Sequence, residues 1–203
     1  MNSLQIYFDA MGLNYIMNAG YSVLIFNLID GGTPVVWAAF QPMMSNQVQW
    51  DDSASVYSSQ SMVIQGSMIS VYGMQNASPQ NMYTWTDGGQ FSVSPASQLS
   101  SSQYGVTNNS HSMGNLTFGL AKPVYTNGQG GGATPVNIQS LMANSMAVFG
   151  YTNKIYVCLG QEGYQAGVVV QQLPPTAGCT VDFSTSNDLT VFFNDAISTF
   201  MQQ

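Results

Sequence analysis

The chain is short of charge. Its 203 residues include nine acids and two basic side chains, Lys122 and Lys154, with no arginine. Charged residues make up 5% of the sequence, where a soluble globular protein usually has about 25%. A nucleic-acid binder neutralises phosphates with Lys and Arg, so a chain with net charge -7 and two isolated lysines is not expected to be one. The same shortage argues against electrostatic docking on anionic membranes. It also removes the arginine clamps that grip phosphate or carboxylate substrates.

Other absences narrow the field further. No run reaches the ~18 consecutive apolar residues of a membrane-spanning helix. Residues 1–29 hold no Lys or Arg, and Asp9 interrupts the first apolar stretch. That pattern is unlike a cleaved leader, so a cytoplasmic product as synthesised is expected, retained as an inclusion or exported without a leader. Cys158 and Cys179 form no CxxC pair, which excludes a zinc knuckle. It leaves open two small buried thiols or one disulfide.

In place of charge the chain carries 24 Ser, 13 Thr, 16 Asn and 19 Gln. It is not a disordered composition, because 11 Tyr, 10 Phe and 3 Trp are present and disordered chains are poor in aromatics. Those rings can bury a sizeable core. One domain spanning residues 1–203 is expected at this length.

Short β-prone runs separated by turn residues dominate. They include Leu4–Phe8, Tyr21–Leu28, Val35–Phe40, Gln47–Trp50, Ala54–Tyr57 and Ser67–Tyr72. Later ones are Leu116–Ala121, Lys154–Leu159, Gly167–Gln171, Thr180–Phe183 and Leu189–Phe193. Two D-G-G turns, Asp30-Gly31-Gly32 and Asp87-Gly88-Gly89, join apolar runs and predict hairpins. Residues 94–114 predict a long surface loop, and Asn127–Pro135 a flexible one. The spacing of Ile138, Leu141, Met142 and Ser145 predicts one short helix within 137–148. The expected fold is all-β, an antiparallel β-sandwich of jelly-roll or immunoglobulin-like type.

From Tyr21 to Ser59 the order is strand, D-G-G turn, then VVWAAFQPMMSNQVQWDDSASVYSS. With Trp37, Trp50 and Tyr57 at the matching positions, this resembles an uncharacterised family of small microbial β-sandwich proteins. The resemblance implies the fold alone. The 13 Met are similar, in composition only, to Met-rich bacterial crystalline inclusion proteins.

Chemistry-bearing residues are sparse, and no catalytic residue is expected. His111 lies in a polar loop where nothing is expected to hold it as a base. Asp30 and Asp87 are read as turn residues, and no two carboxylates are forced together as acid–base catalysis requires. Calcium accepts carboxylate and carbonyl oxygens from loops, which makes Asp51, Asp52 and Asp188 the candidate ligands and calcium the one possible cofactor. Tyr83, Trp85 and Tyr104 are candidates for stacking on a sugar ring, so glycans are possible partners.

An uncharged polar surface gives copies little long-range repulsion, and edge strands without lysine are poorly protected from pairing. The composition therefore points to a non-enzymatic structural protein that partners itself, as a homo-oligomer or polymer. A carbohydrate-binding module or a membrane-active toxin component is the alternative.

Overall fold

The computed structural model describes residues 1–113, 116–161, 163–174 and 178–203. In chain order the first elements are β1 (Asn2–Tyr7), α1 (Ala10–Asn18), β2 (Tyr21–Asp30), β3 (Thr33–Pro34) and β4 (Ala38–Phe40). Then come β5 (Ser45–Trp50), β6 (Ala54–Ser59), β7 (Val71–Ala77), β8 (Asn81–Trp85), β9 (Phe91–Pro95) and β10 (Gln103–Asn108). The last are β11 (Leu116–Thr126), β12 (Gln129–Pro135), β13 (Asn137–Leu141), β14 (Ser145–Gln161), β15 (Cys179–Asp182), β16 (Asp188–Asn194) and β17 (Thr199–Gln202).

They form two sheets packed face to face, the all-β sandwich-like fold expected. One sheet runs β17-β16-β1-β5-β11-β13-β3, with β12 and β6 also on β11 and β7 on β6. The other runs β4-β2-β14-β10-β8-β9, with β15 on β14. Pairing is mostly antiparallel, as predicted, but β1–β16 and β8–β10 are parallel. Between the sheets lie Trp37, Trp50, Phe118, Phe149 and the aliphatic side chains that alternate with polar ones along each strand. Trp50 sits edge-on to both Trp37 and Phe183, at 5.5 and 4.8 Å between ring centroids.

Both predicted hairpins form. β8 and β9 pair across the second D-G-G turn, with Trp85 opposite Phe91. At the first, Ile25 faces Ala38, and Gly31 and Gly32 take the positive φ that the turn needs. Its distal part opens, because β3 leaves β2 to pair with β13.

Several local expectations are corrected. The 137–148 segment is strand, turn and strand. Asn137 is buried, its Oδ1 accepting from the Leu120 backbone at 2.7 Å and its Nδ2 donating to the Gly31 carbonyl at 2.9 Å. Those bonds need an extended backbone beside β11, and they outweigh a weak helical spacing. The one helix of the described residues is α1 instead. Asp9 caps it, accepting from the Gly12 amide at 2.6 Å, and Gly12 and Ile16 are its buried residues. The supposed loop at 94–114 contains β10, an interior strand that turns Tyr104 and Val106 into the core. The supposed flexible 127–135 stretch contains β12, laid along β11. Conversely, Ser67–Ser70 and Gly167–Val170 are not ladder strands. They meet at one isolated bridge, Met68 to Val168, and Ile69 and Val169 cover the outer face of the first sheet beside Tyr57 and Ile138, while Val168 and Val170 pack against Leu24, Phe26 and Cys158 of the second.

Candidate functional site

β11 turns Leu120, Lys122 and Val124 toward the sandwich interior. Lys122 is 1% exposed, and its amine has no hydrogen-bond partner among the described residues. It lies 3.7 Å from the centroid of the Tyr151 ring, a cation–π contact. The Tyr151 hydroxyl donates to Asp52 Oδ1 at 3.3 Å, and Asn2 Nδ2 donates to the same oxygen at 3.2 Å. The Lys122 carbonyl accepts from Trp37 Nε1 at 3.0 Å. Burial pulls the amine down to about 8, against the opposing pull of the Asp52 and Asp51 carboxylates. Burial likewise raises the Tyr151 hydroxyl well above the ordinary tyrosine value. The result is one interior cation, tied by an aromatic ring to a surface carboxylate at the β5–β6 turn.

The second polar cluster ties two loops. Asp87, at the β8–β9 hairpin tip, accepts at Oδ1 from both hydroxyls of Ser110 and Ser112, each at 2.7 Å. The same oxygen accepts from the backbone amides of His111 and Ser112, each at 2.9 Å. These donors hold the carboxyl far below the usual carboxylate range. His111 Nδ1 is 3.6 Å from Asp87 Oδ2, and the ring is exposed as expected. Both serine hydroxyls point to Asp87 and neither donates to the imidazole. The trio is therefore a loop clamp, without the nucleophile–base contact of a serine hydrolase.

The predicted ligand residues fall as follows. Asp51 is engaged by its own turn, accepting from the Ser53 amide at 2.8 Å and from the Ser53 hydroxyl. Asp52 is held by Asn2 and Tyr151, while Asp188 begins β16 opposite Ser3. Among the described residues no group of three or more His, Cys, Asp or Glu could hold a metal ion. Tyr83, Trp85 and Tyr104 are brought together on β8 and β10, but as buried side chains. Tyr83 is 2% and Trp85 1% exposed, and Trp85 packs edge-on to Tyr72 and Phe91. A sugar-stacking platform needs an open ring face, so these three are corrected to core residues. Alternation of aromatic with polar residues marks an inward face as readily as a binding face.

Cys158 and Cys179 are free thiols. Val157, not Cys158, stands opposite Cys179 in the β14–β15 ladder, so the two sulfurs project to opposite faces of the sheet. Burial pushes the Cys158 thiol up to about 12. Five surface depressions of 230 to 340 Å³ have no Asp, Glu, Lys or His in their walls. Among the described residues no helix is long and apolar enough to cross a membrane.

The feature that sequence reading missed is the placement of methionine. Eleven of the 13 Met are exposed, from Met1 and Met11 through Met74 to Met201, leaving Met82 and Met113 inside or partly so. Methionine is usually among the buried residue types. Comparison with protein families and with characterised proteins finds no match.

Proposed function

We propose that this chain is a non-enzymatic structural protein that assembles with copies of itself, as a filament, layer or crystalline inclusion. The observation that carries this reading is the outward placement of 11 of 13 methionines on a chain with 11 charges. Met is flexible and apolar, and it suits surfaces that must adapt to a partner. The exposed apolar side chains lie on separate elements. Met11, Tyr15 and Met17 are on α1; Met62, Met68 and Met74 lie on and before β7; Met142 and Met146 flank the turn into β14. Several sticky surfaces on one molecule favour extended assemblies over a closed pair. The clamp at Asp87, with serine hydroxyls committed to the carboxylate, supports a non-catalytic role.

Sedimentation and electron microscopy of purified protein across a concentration series test the reading. Ordered particles growing with concentration are expected. A monomer at every concentration, salt and pH would overturn it.

A further inference from the structure

We infer that β7 is the edge through which two copies first pair, antiparallel about a two-fold axis, to continue the first sheet across the dimer. This rests on the self-assembly reading and names its surface. An edge strand presents unpaired N–H and C=O groups, and proteins blunt such edges with charge, proline or brevity. The other sheet margins here are blunted. β3 has two residues, β4 three, and β15 and β17 four each. β9 ends in Pro95, and β12, as long as β7, is made irregular by Gly130 and Gly131 at positive φ and by a register shift against β11, and ends in Pro135.

β7 is different. It has seven residues, no proline and no charge, and among the described residues it pairs with β6 alone. Among the described residues no turn, loop or side-chain hydrogen bond reaches the backbone of Val71–Ala77 from its open side. The register skips Tyr72 as a bulge and leaves Gly73–Ala77 regular against Ala54–Ser58. Met74 is exposed on this stretch, and Val71 and Tyr72 beside it.

Charge selects both the occupant and the orientation. Residues 53–86 contain no charged side chain, so a second copy meets this edge without the repulsion that its net charge of -7 causes elsewhere. The nearest carboxylates along the ladder, Asp51 and Asp52, precede Ala54, which pairs with Ala77. Parallel docking of two β7 edges would set the two Asp pairs side by side. Antiparallel docking sends them to opposite ends of the new ladder, with Gly73–Ala77 of each copy facing the other in reverse.

The test is a double variant, Met74→Lys with Asn76→Lys, against Met142→Lys as a charge control away from the edge. Sedimentation across a concentration series reads all three proteins. Lysines brought face to face across the ladder weaken association by about tenfold or more, while Met142→Lys leaves this pairing step unchanged. Wild type that assembles, with the double variant assembling equally, overturns the β7 assignment and leaves the broader reading standing. Wild type that stays monomeric overturns both. Should the double variant fail to fold, amide exchange of wild type decides. Protection of residues 73–77 that rises with concentration is expected, and assembly without it overturns the assignment.

Discussion

At the scale of single residues the molecule commits its few charged side chains to architecture. Lys122 is an interior cation whose amine meets the Tyr151 ring face and, among the described residues, no hydrogen-bond partner. Its amine is protonated in both folded and unfolded chains below about pH 8, so the folded state there bears the full cost of burying charge. Between about 8 and the free-lysine value of 10.5 the unfolded chain holds this proton more tightly, and the Lys122 contribution to stability rises with pH. Above about 9 the slope reverses, because burial holds the Cys158 thiol, and then the Tyr57 and Tyr151 hydroxyls, protonated in the fold after the unfolded chain has lost those protons. Denaturant midpoints measured from pH 7 to 11 therefore pass through a maximum near pH 9. Lys122→Met is expected to stabilise the protein at pH 7 by about 1–3 kcal/mol and to flatten the rising limb. An unchanged limb in that variant would show that another group sets it. Asn137→Ala acts in the opposite direction. It strands the Leu120 amide and the Gly31 carbonyl, at about 2–4 kcal/mol in chemical denaturation.

At the scale of elements, α1 shows how a short helix survives in an all-β chain. Asp9 satisfies an amide of the first turn, and Ile16 anchors the helix to the core. Asp9→Ala costs about 1 kcal/mol. The loss shows as faster amide exchange confined to residues 10–18, with the sheet amides unchanged; uniform acceleration across the sheets would refute a local role. The strands were legible where a short apolar run met a turn signal: β1, β2, β5, β6, both arms of the second hairpin, β15 and β16. They were illegible where the ladder partner supplies the reason for extension. β10 reads as a polar loop until β8 and β14 flank it. β13 reads as a helix until Asn137 is seen bridging β11 and the first D-G-G turn. Gly119 belongs to the same junction, since a Cβ there would lie 2.1 Å from the Asn137 carbonyl oxygen.

At the scale of the whole molecule the deciding property is which side chains face out. In the proposed assembly exposed methionines supply an adhesion that does not depend on charge, so it is expected to persist as salt is raised from 0.05 to about 0.5 M, where charge-driven contacts weaken. Peroxide oxidation converts exposed Met to the polar sulfoxide. It is expected to dissolve assemblies while Met82 and Met113 oxidise last, as read by peptide mass spectrometry. Assemblies that survive full oxidation of the exposed set would move the adhesion to the strand edges alone. The candidate sites were legible in part. His111 stays exposed, as its polar loop implied, and Asp51 and Asp87 sit at turns. The aromatic trio is buried, because a pattern of alternating rings does not say which face of a strand meets the other sheet.

The sequence by itself determined that the chain would fold as β-structure around an aromatic core and would carry little charge anywhere, since composition and strand periodicity are local properties. Which residues face inward was decided by tertiary structure alone. Lys122, Tyr83 and Trp85 are buried and the methionines exposed because each strand's inner face is set by the sheet laid against it. β7 is left open for the same kind of reason: an edge exists only once the order of strands in the sheet is known.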